Sequence, residues 1–291
     1  MKRIIAMFLT LAMVTVAFAG CGGSPASSTA SGGSSSKADS PAADESWTKV
    51  EQAGKLVLGL DPEFPPMGYK DTSSGDIIGF DIDLAKEVCS RLNIKLEAQP
   101  INWDSKQLEL DGGNIDCIWN GLSWTQERAD NMYVTKPYMN NKQVLMTLKG
   151  SDYTSMASLN GQSLAVQKDS SAEAALNSDD NKAFKDSLKE VVGVDSYTNG
   201  LMELKNGTVV ALGIDEVVAR WYMEQEPDKY ELVQKDGADA SLANEDYIIG
   251  FRKGDTALAN KIYDTLKEMK ADGKLAEISK VWFGKDITVI K

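Results

Sequence analysis

Two successive runs of alternating strand-like and helix-like periodicity constrain this chain more than any other feature. The first opens with Leu56-Val57-Leu58-Gly59-Leu60, a short apolar run closed by Asp61-Pro62 that reads as a buried strand. A helix follows, with Asp81 as N-cap and Leu84, Ala85, Val88, Cys89 and Leu92 on one stripe. Residues 94–98 read as a strand, Leu108 and Leu110 mark a short helix stopped at Gly112-Gly113, and residues 115–119 read as another strand. The order then recurs. Residues 163–167 read as a strand, a helix follows from Ala172, and a second helix lies around residues 184–188. Residues 191–194 and 209–214 read as strands, with a short helix between them over residues 201–205 that stops at Asn206-Gly207. A helix over residues 217–223, a strand over 247–251 and two helices beginning at Asp255 and after Gly273 complete the pattern. Two βαβαβ runs predict an α/β protein with helices on the faces of its sheet. Only the element order repeats; the residues do not. Two such units on one chain suggest a ligand held between them, at the carboxyl ends of the strands.

Composition narrows the chemistry. The 291 residues include no histidine, which removes histidine triads, histidine metal sites and histidine pH switches. A formal net charge of −12 argues against a nucleic-acid partner, because phosphates need a basic face. Hydrophobic residues at 42% and charged residues at 25% are ordinary for a globular protein with ample core. Cys89 and Cys117 could form a disulfide in an exported chain, but their apolar settings favour two buried free thiols. With no Cys-x-x-Cys, neither a metal nor a redox site is expected.

The N-terminus reads as an address. Lys2-Arg3 precede an uncharged apolar run over residues 4–19, shorter than the roughly 20 residues that span a bilayer comfortably. Residues 1–20 are therefore expected to be a signal peptide. The run ends in Phe18-Ala19-Gly20-Cys21, which resembles a bacterial lipobox, with Phe18 where Leu is usual. Cys21 is then the expected site of acylation. Residues 21–46 are rich in Ser, Gly and Ala and carry almost no large apolar side chain, the composition of a flexible tether.

The residues just after the strands carry the candidate chemistry. Asp61-Pro62-Glu63-Phe64-Pro65-Pro66 is a stiff loop presenting a carboxylate and a ring; the same residues would also make a rigid surface turn. Ser123-x-x-Gln126 fits a helix capping box, which places Arg128 in a first turn where a cation opposes the helix dipole. Such an Arg hints at an anionic partner, yet taken alone it reads better as a solvated Arg paired to Glu127 or Asp130. Ser170-x-x-Glu173 fits a second capping box, whose free N–H groups would suit a carboxylate or simply cap a helix. Asp215 ends a strand and either caps the next helix or accepts an ammonium. Together these residues would form a receptor for a zwitterion. Arg128 and the N–H groups would take an α-carboxylate, Asp215 would take an α-ammonium, and Phe64 and Trp103 would cover the side chain.

From residue 56 to residue 284 the chain resembles the bacterial polar-amino-acid-binding proteins of ABC importers, solute-binding family 3. The resemblance rests on Phe64-Pro65-Pro66-Met67, Gly79-Phe80-Asp81-Ile82-Asp83-Leu84-Ala85, Ile115-Asp116, Ser123-x-Thr125-x-x-Arg128 and Lys136-Pro137-Tyr138. It continues through Leu159-x-Gly161, Ser170-Ser171-Ala172-Glu173, Asp215, Gly250-Phe251 and Lys280-x-Trp282-Phe283-Gly284. It implies a two-lobed periplasmic-binding-protein fold of type II, two α/β lobes joined by two crossover strands. One lobe would combine residues 47–139 and 240–291, and the other residues 140–239. It implies Arg128 as carboxylate clamp, Ser123 and Gly121 as first-lobe partners, Ser170 and Ser171 as the second-lobe clamp, and Asp215 as ammonium acceptor. Asp61, Phe64 and Trp103 would line the side-chain pocket. Asn120-Gly121 stands where several members carry small hydroxyl residues. Asp169 stands where Gly is common, so its carboxylate must point outward. The implied function is capture of a polar or cationic amino acid, or cystine, and its delivery to the permease subunits of an ABC importer. The protein would be a monomer, exported and lipid-anchored, with no cofactor, metal or catalytic residue. The alternative is an enzyme on the same scaffold, such as a cyclohexadienyl or arogenate dehydratase, with Asp61, Glu63 and Asp169 as acid–base candidates.

Overall fold

The computed structural model describes residues 44–291. The expected signal peptide, Cys21 and most of the tether lie outside the described residues. The folded part begins inside the segment read as tether, with helix α1 at Ser46–Ala53. Asp44 and Ser46 are fastened to a helix more than 200 residues away. Asp44 Oδ2 accepts from Ala257 N and Thr256 Oγ1, and Ser46 Oγ accepts from Leu258 N at 3.0 Å.

Eight principal strands build one sheet: β1 (Lys55–Leu60), β2 (Lys95–Pro100), β3 (Cys117–Ser123), β4 (Met139–Leu148), β5 (Ser163–Gln167), β6 (Glu190–Val194), β7 (Ala211–Asp215) and β8 (Ser241–Phe251). Their order is β6-β5-β7-β4-β8-β3-β1-β2, with two short strands added at Tyr133–Val134 and Tyr230–Leu232. β2, β1 and β3 run parallel and form one half. β6, β5 and β7 run parallel and form the other. Between the halves β4 and β8 run antiparallel to each other, with Asn141 opposite Glu245. β4 continues onto β7 and β8 onto β3, so these two strands carry the chain across. The fold is the expected two-lobed α/β architecture with two crossover strands.

The helices that matter for the site are α2 (Phe80–Arg91), α3 (Lys106–Asp111), α4 (Gln126–Asn131), α5 (Ser171–Leu176), α6 (Lys182–Ser187), α7 (Tyr197–Asn206), α8 (Glu216–Gln225), α9 (Thr256–Ala271) and α10 (Lys274–Phe283). Both faces of the inner parallel strands β1, β3, β5 and β7 are covered, so those strands are almost wholly buried, whereas the edge strands β2 and β6 are not. In β3, Cys117 and Trp119 enter one core with Leu58, Phe80 and Ile249, while Ile118 and Leu122 enter another with Trp103, Leu110 and Met132. In β5, Ala165 faces the first core, and Leu164 and Val166 face a third with Leu145 and Leu176. Cys89 and Cys117 are buried and unbridged.

Two helix starts differ from the sequence expectation, and a third falls where expected but without the side-chain cap. β3 remains paired through Ser123, opposite Tyr247, so Ser123 cannot cap α4; Thr125 does, accepting from Arg128 N at 3.1 Å. α2 starts behind Gly79, and the carboxylate of Asp81 is instead fully buried. It accepts from Gly121 N at 2.8 Å and Tyr138 Oη at 3.0 Å, tying α2 to β3. Asp255 holds the N-cap position of α9 but makes no cap bond with its side chain, because Asp44 and Ser46 take the free amides.

Candidate functional site

The candidate residues converge at the carboxyl ends of the parallel strands, where loops from both halves face each other. Phe64, Trp103, Gly121, Arg128, Gln167, Ser170, Ser171, Tyr197 and Asp215 enclose a cavity of about 10 Å³. That is close to the space one water needs, so the halves must part to admit anything larger. They are held together by polar contacts. Gln167 Nε2 donates to Asp61 Oδ2 at 2.7 Å, and the hydroxyl oxygens of Ser123 and Ser171 lie 3.1 Å apart. Lys106 Nζ donates to the Asp169 carbonyl at 2.9 Å and pairs with its carboxylate. Phe64 stacks on Tyr197 with centroids 5.5 Å apart.

One end of the cavity is cationic. Arg128 is placed by the Thr125 cap in the first turn of α4 and is 9% exposed. Its Nη1 donates to Ser123 O at 2.7 Å and its Nη2 to Asp169 O at 3.2 Å. Among the described residues no carboxylate reaches ion-pair distance of its guanidinium. The solvated Arg paired to Glu127 or Asp130 is therefore not what forms. Burial lowers its pKa from the usual range. Lys106, on α3, stands beside it with its Nζ 4.9 Å from the Trp103 ring centroid. Burial, and then the neighbouring Arg128, brings Lys106 down to about 8. Asp169 points outward, as the reading required, and its φ of 53° explains why Gly suits this position.

The opposite end is anionic. Asp215 stands between β7 and α8, yet its carboxylate makes no helix cap. Instead Oδ1 accepts from Asn141 Nδ2 (2.6 Å), Gln143 Nε2 (2.7 Å) and Tyr247 Oη (2.6 Å), and Oδ2 accepts from Tyr197 Oη (2.6 Å). Burial, and then the nearby Glu245, pushes Asp215 up to about 7. A site with an unpaired buried cation at one end and a buried carboxylate at the other is complementary to a zwitterion.

Three expected residues stand just behind this lining. Asp61, its pKa raised by burial, accepts from Gln167 and faces a separate cavity of about 480 Å³. Ser123 bridges to Ser171 and Glu245. Asn120 supports the loop, accepting from Asp61 N at 3.0 Å and donating to Gly68 O at 3.4 Å. Gly121 has φ 60°, and a Cβ there would lie 2.7 Å from the Phe64 ring.

Sequence reasoning missed Lys106, Asn141, Gln143, Gln167, Tyr197, Glu245 and Tyr247. Asn141 and Gln143 of β4 could have been found, because they alternate, buried, with exposed Asn140 and Lys142 in the manner of a strand with a polar inner face. Lys106 and Glu245 leave no such trace. Among the described residues no group of three or more His, Cys, Asp or Glu could hold a metal, and no helix is long and apolar enough to cross a membrane.

Known proteins resemble this chain in sequence and fold. The glutamine-binding ABC transporter protein GlnH of Bacillus subtilis is 30% identical over 291 residues, covering 98% of this chain and 99% of that protein. The L-cystine-binding protein TcyA of the same organism is 25% identical over 288 residues, covering 99% of both. A substrate-binding protein of an ABC uptake transporter from Streptococcus pneumoniae, solved with bound histidine, superimposes with a TM-score of 0.79 at 36% identity, over 85% of this chain and 99% of that one. Tv2483 bound to L-arginine gives a TM-score of 0.78 at 30% identity, over 85% and 98%. Residues 56–285 match a family of exported receptors, and the chain belongs to the bacterial extracellular solute-binding proteins, family 3.

Proposed function

We propose that this protein captures a free amino acid between two lobes and delivers it to an ABC importer. The observation that carries the reading is Arg128, a buried guanidinium bonded to two carbonyl oxygens and to no carboxylate, facing buried Asp215 across the cavity. A ligand α-carboxylate would complete Arg128, and the α-ammonium would meet Asp215. The lobes are residues 47–139 with 240–291, and residues 140–239, and they part by a hinge in β4 and β8. A cationic side chain is favoured. The 480 Å³ cavity beyond Trp103 is lined by Asp61, Glu63, Glu109 and Asp195, with no Lys or Arg among its walls. The relatives' ligands, glutamine, cystine, arginine and histidine, keep an amide side chain and cystine in the screen.

The protein acts as a monomer and is not an enzyme. Of the acid–base candidates for a dehydratase, Asp61 is engaged by Gln167 and Asp169 by Lys106. It is exported and held to the membrane through acylated Cys21, so Cys21→Ser should move it to the soluble fraction. A thermal-shift screen over the standard amino acids and cystine, with prephenate and arogenate turnover measured alongside, tests the reading. Stabilisation by an amino acid without turnover supports it; turnover with no amino-acid shift reverses it.

A further inference from the structure

Glu245 is half-buried on crossover strand β8 and gathers donors from both sides of the cleft. Its Oε2 accepts from Ser123 Oγ at 2.7 Å, Gln143 Nε2 at 2.9 Å, Asn141 Nδ2 at 3.2 Å and Ser171 Oγ at 3.3 Å. The same two amide nitrogens also serve Asp215. Two carboxylate oxygens that share a donor nitrogen lie no farther apart than two hydrogen bonds, about 6 Å.

The hydrogen-bond inventory at this end is one-sided. A serine hydroxyl has a single proton. Ser123 and Ser171 both direct theirs to Glu245, so each has only lone pairs left for a guest. The hydroxyls of Tyr197 and Tyr247 are committed to Asp215. The nitrogen of Asn141 is committed to the two carboxylates, and that of Gln143 to the same carboxylates and to Ser171 Oγ at 2.9 Å. Their oxygens, Asn141 Oδ1 and Gln143 Oε1, are buried and have no donor among the described residues. Those residues are 6% and 0% exposed, so solvent does not satisfy them. Acceptors therefore remain here in surplus, and a guest must supply the missing N–H groups.

We propose that Glu245 is the positioning residue that turns this end of the cleft into an all-acceptor wall. It thereby sets the preference for a ligand bearing a protonated amino group over the same molecule without one. The proposal rests on the amino-acid receptor reading. Glu245 acts through Ser123, Ser171, Asn141 and Gln143. With Glu245→Gln the negative charge is lost and one of the two acceptor oxygens becomes an N–H donor, so the serine hydroxyls are no longer held to an acceptor-only group and can turn their protons into the cavity, and the wall no longer rejects a guest that brings no donors.

Calorimetric titration of the full-length protein tests this with matched pairs: L-arginine against 5-guanidinopentanoate, and L-glutamine against glutaramate. The wild type should bind at least one amino acid and reject its des-amino analogue. Glu245→Gln should shrink that ratio by at least about tenfold, the scale of one charge-assisted hydrogen bond. Ser123→Ala, which removes an oriented hydroxyl, should shrink it in the same direction and serves if Glu245→Gln does not fold. A Glu245 that only braces the hinge would weaken both members of a pair equally, and an unchanged ratio in both variants overturns the proposal. Failure of the wild type to bind any of the four probes and any other amino acid overturns the receptor reading, and the proposal with it.

Discussion

Replacing Arg128 with Met separates a ligand clamp from a structural cation. Methionine keeps most of the stem volume and removes the charge. The guanidinium makes two hydrogen bonds to carbonyl oxygens and, among the described residues, no ion pair. Hydrogen bonds from a charged group contribute about 1.5–3 kcal/mol each. Against them stands the desolvation of a buried cation, several kcal/mol, which the lowered pKa of Arg128 registers. The two effects oppose each other, so the unliganded protein should change in stability by no more than about 1–2 kcal/mol in either direction. The liganded protein has no such offset. Removing one partner of a buried, hydrogen-bonded charge pair costs about 2–5 kcal/mol of binding. Affinity should fall between roughly 30-fold and several-thousand-fold. Calorimetric titration with L-arginine and L-glutamine, beside melting curves without ligand, reads both quantities. Affinity preserved within about twofold, with a large drop in the ligand-free melting temperature, would show that Arg128 is a structural cation and refute the reasoning.

Three further outcomes are expected. Asp61→Asn should weaken L-arginine and L-lysine more than L-glutamine in the same titration, because it removes a charge from the acidic cavity beyond Trp103; equal losses would make Asp61 a loop residue only. The folded-state pKa of Asp215, about 7, is raised from 3.8. Its contribution to ligand-free stability is thus fully present below about pH 4 and is lost as pH rises through about 7. Ammonium binding needs the ionised form, so affinity should climb by up to about tenfold per pH unit below 7 and then level off, a slope that Asp215→Asn should flatten. Gly121→Ala should lower stability by roughly 1–3 kcal/mol in thermal unfolding, since it places a non-glycine residue at positive φ against the Phe64 ring.

Where periodicity is strong, sequence and structure agree closely: β5 is placed residue for residue, and α7 stops at the left-handed Gly207. The failures share a cause. Asp81, Ser123 and Asp215 all look like local helix caps, because Asp and Ser before an apolar run usually are. Here each carboxylate or hydroxyl is taken by a partner far along the chain. β4 escaped notice because its first half is Asn-Asn-Lys-Gln, polar on the inner face where a core strand would be apolar. Those inward amides hold Asp215 and Glu245, so the strand departs from the hydrophobic pattern where it serves the site. Lys106 was invisible for a related reason. A lysine at the start of a short amphipathic helix reads as solvated, and only the approach of Asp169 from the other half buries it.

A receptor of this kind must recognise both ends of a free amino acid. The most direct measurement takes the amino acid that stabilises the protein most in the thermal-shift screen, its N-acetyl derivative and its methyl ester, and titrates each calorimetrically. The free amino acid should saturate at one site per chain. At 100 times Kd it should add about 2.7 kcal/mol to stability. Each blocked derivative should bind at least about tenfold more weakly, because one leaves Asp215 without an ammonium and the other leaves Arg128 without a carboxylate. Equal binding of all three, or no binding by any free amino acid, would contradict the account.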